Sequence, residues 1–378
     1  MGPQACSELQ TKIPIAYDLT SHHALGGGSY VFKNDYPAFL KTLVPNPNRR
    51  TEINIVIQPN NSPHIGTLCS LSLAFVVAHR LKDLGMDVLV TCDLWDRAKG
   101  SQEKINGIVY QKCLQDTGTL QKYLQDYQEI LRSLSRRYGI LYKLRLEEEF
   151  LKSPEIPEVI QAIIKDRSSL AKVLAPLTGK LAIRSACPTC GLVDKYGAEN
   201  VYADDGLSIS FNCPHHGRFS CSAETECHRL QFNCQLFNLV MGRVYECAPF
   251  NYIEICGSDY AGFWQEQLLW RFLSKPIITV YTPLIHDWSG SKVSKSLYLQ
   301  NAAYDYLRAA IQDYLLSYRV LRQQNKDLSI LWEEVGRWVD EPYRLFRGYS
   351  LHYIHLLFEK HEISLGVIHK TAQAPEIE

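Results

Sequence analysis

The chain has 378 residues, 46% of them apolar, so it is long enough for two or three domains with a substantial core. Its 40 basic and 40 acidic side chains cancel, which excludes the global positive field that many nucleic-acid-binding proteins carry. A locally basic patch is compatible with this balance.

Targeting and membrane segments are not indicated by the sequence. Residues 1–20 lack a charged start followed by an apolar run, and no stretch reaches about eighteen consecutive apolar residues. We therefore expect a soluble, cytoplasmic protein without a membrane partner. In a reducing compartment, the 12 cysteines favour free thiols or metal ligands over a disulfide framework.

A strand–turn–helix–strand unit begins at the run of β-branched residues 53–57. Apolar residues recur at helical steps over residues 68–84, and Gly85 stands where a helix stops. Residues 86–90 form a second strand-like run. This order predicts a Rossmann-like α/β fold, with a parallel sheet, right-handed crossovers and ligands at the strand carboxyl ends.

Two short segments carry the chemistry predicted for that edge. Pro-His-Ile-Gly-Thr at 63–67 falls at the predicted helix amino end, where free backbone N–H groups and the helix dipole favour phosphate. Gly66 lets a ligand approach the backbone closely. Far downstream, Gly-Ser-Lys-Val-Ser-Lys-Ser at 290–296 places two lysines on a small, polar stretch.

A metal site is predicted by the motif C-P-T-C-G at 187–191, followed by C-P-H-H-G at 213–217. This is the spacing of a zinc ribbon, in which two turns place four ligands tetrahedrally. His215 and Cys221 compete for the fourth place. Four protein ligands leave no open position for water, so the Zn²⁺ is expected to be structural. The predicted ligands are Cys187, Cys190, Cys213 and His216.

Further strands and helices follow in chain order. Residues 250–255 read as a strand that ends in small residues and one carboxylate, which suits a nucleoside or amino-acid contact, although a plain turn is the alternative. Residues 276–282 read as the strand that leads into the two-lysine segment. Helical patterning covers 120–137, 157–174 and 304–359, and 360–378 reads as a tail.

The His-Ile-Gly turn and the later lysine loop together resemble the H-I-G-H and K-M-S-K-S signatures of class I aminoacyl-tRNA synthetases. Thr67 stands for the last His, and Val293 stands for Met. The resemblance implies that His64 binds the phosphates of ATP, with Mg²⁺ as its companion ion. It also implies that Lys292 and Lys295 stabilise charge at the α-phosphate as pyrophosphate leaves.

The order of parts over about residues 50–300 also resembles the catalytic half of class I lysyl-tRNA synthetase. This resemblance implies that Asp93 and Asp96 border the amino-acid pocket and read the cationic head of lysine or arginine. Arginine would need a bidentate carboxylate, whereas lysine needs only a point charge. The remaining predicted substrate-binding residues are Gly66, Gly257, Asp259 and Tyr260.

The predicted domain organisation follows the same order. It comprises an N-terminal segment (1–50), the first half of the catalytic domain (51–100), a helical insertion (101–185), a zinc knuckle (186–230), the second half with the lysine loop (231–300) and a helical region (301–378).

A class I lysyl enzyme continues into a large anticodon-binding region, whereas only residues 301–378 follow the loop here. We therefore expect a synthetase core with another task. The favoured task is to condense two aminoacyl groups delivered on tRNA into a cyclodipeptide with a basic residue, preferably arginine, as a fungal group of synthases does. A nucleophile for it would come from Cys92, Ser62, Ser258 or Tyr260.

Two alternatives stay open. In one, the chain uses ATP to adenylate an amino acid and passes it to a tRNA, an amine or a carrier. In the other, it is a degenerate synthetase that regulates by binding tRNA or an amino acid.

Overall fold

The computed structural model describes residues 35–95, 99–113, 119–260, 273, 277–293 and 304–365, with backbone only at 99–100, 119–120 and 234–235. A five-stranded sheet lies at its centre, and all neighbouring strands are parallel. This confirms the predicted α/β class with a parallel sheet. The strands, in spatial order, are β13 (Ile278–Thr282), β12 (Asn251–Gly257), β1 (Thr51–Ile57), β2 (Val88–Leu94) and β5 (Tyr142–Leu146).

The order of strands reverses direction beside β1. From β1 the chain moves to β2 and β5 on one side, and it returns to β12 and β13 on the other. The crevice between the carboxyl ends of β1 and β12 is therefore the switch point at which parallel α/β sheets bind ligands.

Helix α2 (Ile65–Asp83) covers one face of the sheet. It begins where the His64 side chain accepts a hydrogen bond from the Gly66 N–H, and it ends before Gly85, whose φ is +83°. Its length and composition would allow it to cross a membrane, but most of it is buried in the core. Helix α1 (Tyr36–Leu43) packs beside it.

The other face of the sheet is polar because side chains alternate along each strand. Asn54, Asp93, Arg145 and Glu254 lie on this face, opposite the apolar residues that meet α2. A second apolar cluster covers this face, and helix α7 (Cys234–Glu246) belongs to it.

The region predicted as a helical insertion contains strands as well as helices. Hairpin β3 (Lys99–Ile105) and β4 (Ile108–Cys113) precedes α3 (Thr119–Tyr138), and β5 then joins the central sheet. The sequence missed β5 because its charged residues look solvent-exposed, whereas Arg145 is paired with a buried carboxylate. Short helix α4 (Glu147–Phe150) follows.

Two further predictions need corrected boundaries. The single helix expected at 157–174 is two helices, α5 (Ile156–Lys165) and α6 (Arg167–Leu174), separated at Asp166. The second strand begins at Val88 and extends to Leu94, beyond the predicted 86–90. Its second half includes the buried polar residues Thr91 and Asp93, which an apolar run does not reveal.

Short strands build the cysteine-rich region. Strands β8, β9 and β10 form one antiparallel sheet, β6 pairs with β11, and β7 joins β4. Their bounds are β6 (Ile183–Ser185), β7 (Val193–Asp194), β8 (Val201–Tyr202), β9 (Ser208–Cys213), β10 (Gly217–Ser222) and β11 (Leu230–Phe232).

The C-terminal region packs onto the core beside the central sheet. Helix α10 (Ser329–Asp340) contributes Leu331, Val335 and Trp338, all fully buried, to the same apolar core as α2. A parallel ribbon of β14 (Ile285–His286) and β15 (Tyr349–Ser350) ties the lysine loop to this region. The helices are α8 (Asp305–Ala309), α9 (Tyr318–Gln323), α10 (Ser329–Asp340), α11 (Pro342–Leu345) and α12 (Leu351–Ser364).

Candidate functional site

The turn after β1 presents His64 at the amino end of α2. Its Nδ1 accepts a hydrogen bond of 3.0 Å from the Gly66 N–H, so the imidazole caps the helix. A Cβ atom on Gly66 would lie 2.9 Å from His64 Cε1, and only glycine fits beside this ring. The helix amino end favours an anion at this point of the switch crevice.

The same turn is fastened to the C-terminal region. The Tyr318 N–H donates to the Pro63 carbonyl at 2.8 Å, and the Arg319 N–H donates to Ser62 Oγ at 3.2 Å. Ser62, one of the suggested nucleophiles, is buried and accepts this bond. The contacts fix the His-Ile-Gly turn from a part of the chain far away in sequence.

The lysine loop reaches the same crevice from the other side. Strand β12 ends at Gly257, and a short 3₁₀ turn then carries Asp259 and Tyr260. Lys292 Nζ lies 2.5 Å from Asp259 Oδ2. Because β12 neighbours β1, the turn that carries Asp259 and the turn that carries His64 follow the carboxyl ends of adjacent strands. Lys295 lies outside the described residues.

Asp287 shapes the loop. Its Oδ1 accepts hydrogen bonds from the N–H groups of Ser289 and Ser291 at 2.9 and 3.1 Å. Gly290, with φ of +79°, closes this turn, and Val293 N–H donates to the Ile285 carbonyl. The position of Lys292 is thus set by local hydrogen bonds.

Gly257 leaves room for the Asp259 carboxylate to lie against the backbone. A Cβ atom there would lie 2.4 Å from Asp259 Oδ1. The neighbouring hydroxyls of Ser258 and Thr282, at the ends of β12 and β13, are buried and have no hydrogen-bond partner within the described residues. Unpaired buried hydroxyls are costly, so this edge is suited to a ligand that supplies partners.

Asp93, near the end of β2, lies in a buried ion pair. Arg145 donates to it from Nε at 2.7 Å and from Nη2 at 2.8 Å. Asn54 Nδ2 donates to the same carboxylate at 2.9 Å, and the Tyr245 hydroxyl does so at 3.3 Å. The carboxylate therefore already holds a guanidinium in bidentate geometry. Its role in substrate recognition stays a prediction, and Asp96 lies outside the described residues.

Cys92 is the suggested nucleophile with the clearest environment. It is fully buried on the face that meets α2, and burial raises the pKa of its thiol. A buried thiol with a raised pKa holds little thiolate and is a poor nucleophile.

The cysteine-rich region brings all four predicted metal ligands together. The ligand atoms of Cys187, Cys190, Cys213 and His216 lie within 4.8 Å of one another. Cys190 Sγ and Cys213 Sγ are 3.5 Å apart, and His216 Nδ1 lies 3.5 Å from Cys213 Sγ and 3.7 Å from Cys187 Sγ.

These spacings match a tetrahedral ion with metal–sulfur bonds of about 2.3 Å, and they are too long for a disulfide of about 2.05 Å. Burial raises the pKa of the Cys187 thiol, but hydrogen bonds from the backbone of Cys190 and Thr189 and from the Cys213 and Cys190 side chains together lower it to about 6, whereas burial raises the pKa of Cys190 to about 11. A thiolate is the form that binds metal. The cluster could therefore hold a metal ion, and His216 rather than His215 or Cys221 completes it.

Sequence reasoning missed the partners of the predicted residues. Arg145 and Tyr245 complete the Asp93 network, and Asp287 shapes the loop. Asp287 could have been found, because Asp-x-Ser-Gly is a turn pattern. Arg145 could not, because it meets Asp93 only through the register of β5 on β2.

Comparisons with known proteins add little to this geometry. No protein-family profile matches the chain, and no curated protein matches it. A solved structure described as an arginyl-tRNA synthetase from Campylobacter jejuni aligns over 88% of each chain, with 8% identity and a TM-score of 0.33. A similarity this weak carries no assignment, so function is argued from the site.

Proposed function

We propose that this chain is an aminoacyl-transfer enzyme of the class I synthetase type, working at the switch crevice of the central sheet. The supporting observation is that two segments distant in the chain are attached to the carboxyl ends of adjacent strands. His64 follows β1, and Lys292 reaches Asp259, which follows the adjacent β12. A helix amino end and an ammonium at one edge stabilise the negative charge that develops in acyl or phosphoryl transfer.

The first candidate reaction condenses two aminoacyl groups that arrive on tRNA. The α-amine of one attacks the ester carbonyl of the other and releases a tRNA hydroxyl, and the second amine then closes the cyclodipeptide in the same way. The packing of the C-terminal region supports the crevice for this reaction. Leu331, Val335 and Trp338 lie in the same apolar core as α2, the helix whose amino end carries His64.

The second candidate reaction is ATP-dependent adenylation. The amino-acid carboxylate attacks the α-phosphorus, pyrophosphate leaves with Mg²⁺, and the acyl group passes to tRNA, an amine or a carrier. The His64 cap and Lys292 favour it directly. The Lys292–Asp259 pair is partly exposed, and such pairs contribute only about 0–1 kcal/mol to stability. A phosphate can therefore replace Asp259 as the partner of Lys292.

The proposed substrate is arginine or lysine. The polar face of the sheet carries three carboxylates, of Glu52, Asp93 and Glu254, and two cations, of Lys143 and Arg145, so one more negative than positive side chain favours a cation. Asp93 and Asp96 are the proposed contacts. Aminoacyl-tRNA is the proposed partner, the cytoplasm the proposed location, and a structural Zn²⁺ the proposed occupant of the cysteine cluster.

Mass spectrometry of products distinguishes the candidates. Purified protein is incubated with arginyl- or lysyl-tRNA and a second charged tRNA, without ATP, and separately with ATP and free amino acids. A ribonuclease-sensitive cyclodipeptide from charged tRNA alone supports condensation. AMP and pyrophosphate from ATP and one amino acid support adenylation. Binding of tRNA without either product would leave only the regulatory alternative.

A further inference from the structure

The tip of the lysine loop exposes a large aromatic side chain. Trp288 is 81% exposed, whereas Trp95, Trp332 and Trp338 are at most 8% exposed. Burying a large apolar side chain stabilises a protein by about 1.5–3 kcal/mol. The exposed Trp288 does not contribute this stabilisation, whereas the three buried tryptophans do. A single exposed apolar residue needs no explanation by itself, and the argument depends on what surrounds Trp288.

The loop holds Trp288 in a fixed frame. Asp287 precedes Trp288 in the chain, and its carboxylate accepts hydrogen bonds from Ser289 and Ser291, which follow it. The Asp287 N–H also donates to the Ser291 carbonyl at 2.9 Å. Tyr304 donates from its hydroxyl to Asp287 Oδ2 at 3.4 Å. The backbone that carries the indole is therefore preorganised, which lowers the entropic cost of binding through it.

A cation lies on the same loop, and a second aromatic ring, that of Tyr306 in helix α8, lies near Asp287 and the Trp288 backbone. Tyr306 is 39% exposed, and burial and the charge of Asp287 raise the pKa of its hydroxyl. The Lys292 side chain is 46% exposed. Exposed aromatic rings beside an ammonium are the elements with which proteins bind unpaired nucleic acid, through base stacking and phosphate contact.

We propose that Trp288 stacks on a base at the unpaired end of an RNA, while Lys292 contacts a neighbouring phosphate. This inference rests on the proposed function for the identity of the RNA, which would be aminoacyl-tRNA. The loop would then place the acylated end at the switch crevice. Because the chain has no net charge, its overall electrostatic field does not attract RNA, and base stacking supplies much of the affinity for RNA.

Fluorescence anisotropy tests this without any reaction. The probe is a short, labelled, single-stranded RNA that ends in CCA, and the same RNA in a blunt duplex is the comparison. Stacking on an aromatic ring is worth about 1–3 kcal/mol per base, so Trp288→Ala should weaken single-strand binding about tenfold. Trp288→Phe should retain most of the affinity. Leu177→Ala, at a side chain 99% exposed, is the matched control and should bind as wild type.

Each outcome decides the inference. Equal binding by wild type and Trp288→Ala, or an equal loss for single strand and duplex, would overturn it. A loss of ATP binding with unchanged RNA binding would also overturn it, because the indole would then stack on the adenine of ATP. Trp288-dependent RNA binding by a protein that forms neither cyclodipeptide nor adenylate would support the inference while rejecting the proposed function.

Discussion

The Cys₃His cluster and the switch crevice are assembled in opposite ways. The cluster takes its four ligands from two short turns, at 187–190 and 213–216, and each turn ends in a glycine with positive φ, Gly191 or Gly217. The crevice takes its groups from strand ends and a loop far apart in the chain. Local spacing defines the first site, whereas only the register of the sheet defines the second.

The two sites also differ in what their polar atoms do. The ligand atoms of the cluster face one another and leave no position for a substrate. At the crevice, the buried hydroxyls of Ser258 and Thr282 lack partners within the described residues. The cluster should therefore contribute to stability and the crevice to function.

The largest effect is expected from Cys190→Ser. Loss of one ligand should release the metal and cost several kcal/mol of unfolding free energy, because metal binding is coupled to folding. Metal analysis and thermal unfolding measure it, with the exposed Cys247→Ser as control. A metal-free preparation with wild-type stability and activity would show that the metal ion has no structural role.

Arg145→Met tests whether the polar face of the sheet beside the crevice carries stability as well. It leaves the Asp93 carboxylate buried without its cation, which should cost about 3–5 kcal/mol in urea unfolding. The double variant Asp93→Asn/Arg145→Met should recover part of this loss. If Arg145→Met is as stable as wild type, Asp93 and Arg145 do not form a buried ion pair in solution.

Gly257→Ala should separate function from stability. Its new Cβ would force the Asp259 carboxylate to rotate away from Lys292, at a cost of about 1 kcal/mol or less. We expect a clear fall in turnover with nearly unchanged unfolding. Gly336→Ala, where a Cβ meets nothing within 4 Å, is the control. Unchanged turnover would exclude a role for this pair in the reaction.

The smallest effect is expected from Glu52→Gln on the polar face. Burial raises the pKa of Glu52 above its ordinary value of 4.5, so the folded protein loses stability as the pH rises through that raised pKa. Glutamine cannot ionise, and the variant should be slightly more stable than wild type at neutral pH. The gain should vanish below pH 4.5, and unfolding curves at several pH values would show whether it does.

Sequence alone predicted what depends on local pattern. The β1–α2 unit, the four metal ligands and the helical C-terminal region follow from periodicity and spacing. It missed β5, because a strand that buries Arg145 does not look apolar. The sequence could not predict the hydrogen bonds around Asp93, because Arg145 and Tyr245 reach that carboxylate only through tertiary packing.

The most direct test of the crevice is Lys292→Ala assayed beside Lys152→Ala. Both lysines are partly exposed and ion-paired, but Lys152 pairs with Glu148 of helix α4, for which no role in the reaction is predicted. For Lys292→Ala, we predict full metal content, wild-type stability and a loss of product formation of about 10²–10³-fold, in whichever reaction wild type catalyses. Lys152→Ala should react as wild type. Equal turnover by the two variants would contradict the assignment of the crevice as the site of aminoacyl transfer.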